Sequence, residues 1–171
     1  ASLNLKGSDG SLTVDADWTE DAIACILSNF FGKGANASLA PTTMILPWKQ
    51  DQIKLRSDLF VSRTLLVDGG GSTLSFGKYV LSKIISGDLT LHNATITGCN
   101  RQSALDLLGG STNITDCTFR ENERSAIHCQ ASCKLSIVRT VFVRNSLQGW
   151  YGKAPSACLV KSGLWHLLSF D

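Results

Sequence analysis

Asp106 and His128 are the two residues whose types and spacing best suit proton-transfer chemistry. They fill the same place in two copies of a short motif, Ser103-Ala104-Leu105-Asp106-Leu107 and Ser125-Ala126-Ile127-His128-Cys129. A carboxylate beside an imidazole can orient the ring as a general acid or base. Glycosidic hydrolysis asks for a second carboxylate, and a calcium site asks for several. Read through a third copy, Ser156-Ala157-Cys158-Leu159-Val160, the same column continues to Leu159 and gains no acid. Asp116, Glu121 and Glu123 fall in turns at another edge. The pair is therefore the one catalytic centre on offer, but an ordinary surface ion pair is the reading preferred for it.

Other candidates are weaker. His128, Cys129 and Cys133 would supply three metal ligands, but no fourth is in sight. A Cys129–Cys133 disulfide across a turn, or buried thiols, suits these cysteines better, so no metal site and no cofactor is expected. Asp68-Gly69-Gly70-Gly71-Ser72 lacks the Gly-Lys-Ser/Thr ending of a phosphate cradle and reads as a tight turn. His92, His128 and His166 are scattered. Trp150 and Tyr151 lie in 146–155, which reads as a loop bulging from the fold. Aromatics there would stack on a sugar ring or a partner protein, unless Trp150 folds back over an apolar groove. Asn36, Asn93 and Asn113 open Asn-x-Ser/Thr sequons and are the candidate glycosylation sites.

The elements that carry these residues repeat. Leu91–Ile96, Ile114–Phe119 and Ile137–Phe142 begin 23 residues apart, and each ends on a large apolar residue. Cys99, Asn122 and Asn145 follow three positions later. A looser repeat reaches back through Val67 to Ile45. Short β-branched runs at this interval, with no helix between them, predict a coil of strands whose turns stack at about 4.8 Å. Alternation sends Leu89, Leu91, Ile114, Leu135 and Ile137 inward on one sheet. It sends Leu105, Leu107, Ile127, Cys129, Cys158 and Val160 inward on the next, and Ile96, Phe119 and Phe142 on the third. Asn122 and Asn145 are placed to form an amide ladder at one corner. With the third Ser-Ala copy displaced to a spacing of 31, Leu168 takes the place of Ile137 and Leu164–Phe170 becomes a further strand.

Ahead of the repeats, residues 1–17 form a polar segment with one edge strand around Leu12–Asp15. Thr19 is a helix N-cap, Glu20 and Asp21 suit a first turn, and Ala22, Ile23, Ile26, Leu27 and Phe30 make an apolar stripe. A helix over 19–31, stopped by Gly32 and Gly34, would cover one end of the coil.

Composition sets outer limits. The chain has 171 residues, 43% hydrophobic and 18% charged, with a net charge of +2. That balance suits a folded domain and gives no basic run for a nucleic-acid partner. No apolar stretch reaches the length of a membrane span. Six cysteines and three sequons favour a secreted or cell-surface setting.

Two stretches resemble a known superfamily. Met44-Ile45-Leu46-Pro47 and Leu65-Leu66-Val67-Asp68-Gly69-Gly70-Gly71-Ser72-Thr73-Leu74, after a helix at Asp21–Phe30, resemble the opening turns of pectin-lyase-like proteins. Cys117-Thr118-Phe119-Arg120-Glu121-Asn122 with Ser125-Ala126-Ile127 resembles repeats of polymorphic outer-membrane and adhesin-like proteins. The resemblance covers about residues 18–145 and implies an all-β, right-handed parallel β-helix of about 22–24 residues per turn. Its members include lyases, hydrolases, tailspikes and adhesins, so fold alone does not select an activity.

The expected protein is one β-helix domain over 18–171 with a capping helix. It is expected to act without catalysis as an extracellular or cell-surface scaffold, assembly subunit or adhesion and glycan-binding module. Its open C-terminal end would be covered by another chain or a missing segment, and polysaccharide is a possible ligand. The alternative is a lyase or glycoside hydrolase acting on acidic polysaccharide through Asp106 and His128.

Overall fold

The structure is a computed structural model that describes residues 5–6, 10–15, 17–46, 52–84, 87–130, 133–145, 150–151 and 157–161. The strands are β1 (Leu5–Lys6), β2 (Ser11–Thr13), β3 (Thr43–Ile45), β4 (Ile53–Lys54), β5 (Leu59–Val61) and β6 (Leu65–Ser75). They continue with β7 (Leu81–Lys83), β8 (Asp88–Thr97), β9 (Leu105–Leu107), β10 (Gly110–Thr115) and β11 (Thr118–Arg120). The last are β12 (Ile127–Cys129), β13 (Cys133–Val138), β14 (Val141–Val143), β15 (Trp150–Tyr151) and β16 (Ala157–Lys161). Among the described residues the single α-helix is α1 (Glu20–Phe31), between β2 and β3.

The strands coil into a parallel β-helix. One face stacks in the order β2-β3-β6-β8-β10-β13-β16, with antiparallel β1 outside β2. A second face runs β5-β7-β9-β12-β15. The third is built from β4, the far halves of β6 and β8, then β11 and β14.

Register turns the repeat into buried columns. Val67, Leu91, Ile114 and Ile137 stand in line, as do Leu74, Ile96, Phe119 and Phe142 on the third face. On the second face Leu59, Leu81, Leu105 and Ile127 align. Every one of these twelve side chains is buried, as alternation requires of a coil with a solvated outside. Each buried Leu, Ile or Phe contributes roughly 1.5–3 kcal/mol. The Phe119 and Phe142 rings stack at 5.2 Å between centroids.

The helix closes the early turns. Thr19 Oγ1 accepts from the Ala22 N–H at 3.1 Å, and Glu20 and Asp21 occupy the first turn, where the helix dipole favours acids. Ile23, Ile26, Leu27 and Phe31 are buried, and the helix packs on β4 and β5. At its end a Cβ on Gly32 would lie 2.3 Å from the Ser28 carbonyl oxygen, so only glycine fits there.

Corners between strands of one turn are made by left-handed residues. Asn93, Asp116 and Arg139 have φ of 52°, 53° and 44°, each 23 residues after the last. Glu121 and Arg144 repeat the device at the next corner with 57° and 50°. The Asp68–Ser72 stretch is an irregularity inside β6, where the pairing register shifts. Gly70 and Gly71 have positive φ there, and Asp68 Oδ1 accepts from the Gly70 N–H. A Cβ on Gly69 would sit 2.7 Å from the Ala94 Cβ of the next turn.

Three sequence expectations are corrected. Met44, not Ile45, stands in register with Val67; Met44 is fully buried and Ile45 is exposed. The third Ser-Ala copy does not join the second face, because β16 pairs with β13 and sets Cys158 beside Leu135 and Val160 beside Ile137. Leu168 therefore cannot take Val160's place beside Ile137, and Leu164–Phe170 lies outside the described residues. Trp150-Tyr151, expected on a bulging loop, is strand β15 on the second face. Cys158-Leu159-Val160 alternates in a way that suits either face, and pairing on β13 keeps the 23-residue interval instead of stretching it to 31.

Candidate functional site

The outward column of the second face reads Phe60, Ser82, Asp106 and His128, one residue per turn, and Tyr151 is next in backbone register. This stacking brings Asp106 and His128 together, with Asp106 Oδ1 2.8 Å from His128 Nδ1. Because an ionised carboxylate only accepts, that nitrogen donates. Both side chains are partly exposed.

The pair lines a groove of about 610 Å³, shared with Arg101, Gln102, Ser103, Arg124 and Ser125. Arg101 and Arg124 lead into the two Ser-Ala motifs from adjacent turns, which the Leu105 N–H to Ala126 carbonyl bond ties together at 3.0 Å. Arg101 meets Asp58 at 3.4 Å, long for a charge-assisted bond, and its side chain is 59% exposed. Asp58 Oδ1 is itself an acceptor for the Val80 N–H. Arg124 is exposed and makes no ion pair or hydrogen bond among the described residues. Ser125 is only 3% exposed. Its hydroxyl has no bond among the described residues either, although it faces the groove.

Sequence reasoning passed over both arginines and Ser125. The signal was present: Arg101 and Arg124 are separated by the same 23 residues as the strands and directly precede the two motifs.

The remaining candidates stand elsewhere. Cys129 and Cys133 are joined, with 6.0 Å between their Cα atoms. Asn36, Asn93 and Asn113 are all exposed; Asn36 Oδ1 accepts from both the N–H and the hydroxyl of Ser38. Cys99 and Cys117 are buried thiols aimed at backbone carbonyls, and burial pushes the Cys117 thiol up to about 11. Such thiols are packing elements, not nucleophiles. Among the described residues no group of three or more His, Cys, Asp or Glu is placed to hold a metal ion.

The acids at the other edge are already engaged along the axis. Arg139 clasps Asp116 with two bonds of 2.7 and 3.0 Å, and Arg144 clasps Glu121 one corner on. These guanidiniums hold both carboxyls below the ordinary carboxylate range. Between them runs the amide ladder: Asn122 Nδ2 donates to Asn145 Oδ1 at 2.8 Å and to the Ile96 carbonyl, while its Oδ1 accepts from the Cys99 N–H.

One polar residue inside the coil had no sequence expectation. Lys83 holds an inward position on β7 between Val61 and Leu107 and is fully buried. Its Nζ donates to the Gly109 and Ile84 carbonyls at 2.9 and 3.0 Å. Desolvation lowers its pKa, against a smaller opposing pull from Asp88.

No protein family, curated protein or solved structure matches this chain.

Proposed function

We propose that this β-helix is a non-enzymatic extracellular or cell-surface module, a scaffold or assembly subunit whose outer faces bind. The observation that carries the reading is the use made of its carboxylates. Asp116, Glu121 and Asp58 are each tied to an arginine, and among the described residues the groove has the single acid Asp106, bound to His128. Hydrolysis by paired carboxylates has no second acid to draw on there.

The end of the stack supports the assembly part. Among the described residues β14, β15 and β16 are each paired on one side only, and such edges invite a further strand. The Cys129–Cys133 link and the exposed sequon asparagines suit an oxidising, glycosylating compartment, so secretion or surface display is part of the proposal. The capping helix and the Asp68–Ser72 irregularity fit a pectin-lyase-like ancestry, which we include as a reading of the fold.

Light scattering over a range of concentrations tests it. Particles heavier than the 18.4 kDa chain, with a mass that rises with concentration, are expected. A monomer at every concentration would overturn the assembly-subunit reading.

The second reading is an enzyme acting on polysaccharide, favoured by the 2.8 Å Asp106–His128 pair in an open groove. Reducing-end or unsaturated-product release from acidic glycans, lost in Asp106→Asn and His128→Gln, would replace the first reading with this one.

A further inference from the structure

We infer that the groove beside Asp106 and His128 is a binding site for a tetrahedral oxyanion, sulfate or phosphate. Two guanidiniums rise there from turns whose backbones lie about 4.8 Å apart. Like charges stacked so closely repel unless an acid lies between them. Elsewhere in its corners this chain supplies an acid within the column, Asp116 for Arg139 and Glu121 for Arg144. In the groove none is found among the described residues: Arg124 makes no ion pair or hydrogen bond there, and Arg101 has a long contact to Asp58. The groove's carboxylate among the described residues, Asp106, is taken up by His128.

A second observation points the same way. Ser125, a residue 3% exposed, lines the same groove, and its hydroxyl makes no hydrogen bond among the described residues. A hydroxyl that lines the groove can donate to an anion's oxygen. Gln102 adds an amide donor at the rim. A fork of guanidinium N–H groups with a hydroxyl is the donor set that tetrahedral oxyanions take. At about 610 Å³ the groove is far larger than a sulfate ion and falls among the sizes of sites for organic ligands. The anion is therefore expected as an ester carried on a larger molecule. This proposal does not depend on whether the chain assembles.

The test is titration calorimetry of the full chain at low ionic strength with sodium sulfate, sodium phosphate and dextran sulfate, and with neutral dextran as control. Dextran sulfate is expected to bind more tightly than either inorganic ion, and neutral dextran not at all. Equal binding of an inorganic ion would keep the site and move its ligand from a carried ester to the free anion. Arg124→Gln is expected to weaken binding at least about tenfold, the effect of losing a charge-assisted bond. Arg124→Lys, which retains charge without the fork, should fall between. Ser125→Ala should weaken it about threefold. Arg144→Gln, at a corner outside the groove, should bind within about twofold of wild type. Equal losses in Arg124→Gln and Arg144→Gln would mean general charge attraction and overturn the site, as would no binding by any of the three anions. A melting curve for each variant separates a lost site from a lost fold.

Discussion

Two sets of stacked positions in the corners of this coil are built on the same interval and end in opposite chemical states. At the first, each side chain finds its complement one turn away: Asp116 under Arg139, Glu121 under Arg144, Asn122 under Asn145. At the second, the repeat stacks Arg101 and Arg124, two residues of one sign, and Ser125 has no side-chain partner among the described residues. A solenoid brings equivalent positions into contact whatever they contain. Alternating types along a column therefore saturate it and stabilise the stack, while repeated types leave donors over for something else. The saturated corners hold the fold, and the unsaturated one is where a ligand can be recognised.

The contrast is broken most severely at the amide ladder. Asn122→Ala strands the Cys99 N–H, the Ile96 carbonyl and Asn145, all at or near the core. A loss of about 3–5 kcal/mol is expected in urea unfolding. A loss below about 1 kcal/mol would mean that the ladder is ornamental.

Lys83→Met comes next. It leaves two buried carbonyls without their donor, and a loss of about 1–3 kcal/mol is expected. The pH dependence has a definite sign. Because the folded-state pKa of Lys83 is lowered, the unfolded chain binds more protons between that value and the ordinary lysine range. Wild-type stability should rise with pH through this window, and the variant should lack that slope.

The ion pairs at the corners should matter less and should respond to acid and salt. Asp116 and Glu121 have lowered folded-state pKa values, so their contribution is complete above the ordinary carboxylate range. It disappears as pH falls through the lowered folded-state values. The double variant Asp116→Asn/Glu121→Gln should flatten the acid limb of the stability profile, and added salt should shrink its difference from wild type. An unchanged acid limb would remove these pairs from the account.

The smallest effect belongs to the groove. Arg124→Gln should change stability by less than about 0.5 kcal/mol, since no described residue bonds to that exposed guanidinium. A larger loss would place Arg124 among the structural pairs and erase the contrast.

Much of the fold is legible in the residues. Leu91, Ile114 and Ile137, the Phe119–Phe142 column, the Asn122–Asn145 ladder and the Thr19 cap can each be assigned from spacing and side-chain type. Each rests on a local rule, alternation, periodicity or capping, that survives tertiary context. The misassignments come where two registers satisfy the same rule. Ile45 and Met44 differ by one residue, and only the pairing with Val67 selects Met44. Cys158-Leu159-Val160 resembles the motif of the second face, yet Trp150-Tyr151 reaches that face first along the chain. The site was half legible. Asp106 and His128 could be paired by counting, but a search for catalytic types passes over two arginines whose meaning lies in what fails to stand between them.

By itself the sequence determined that the chain must coil, at what interval, and which apolar residues face inward, because burial and alternation act on neighbours and do not need the third dimension. Only the tertiary structure decided which charges are spent and which are left. That depends on what stacks above and below each one: Asp116 is silent because Arg139 lies over it, and Arg124 is available because no acid among the described residues pairs with it.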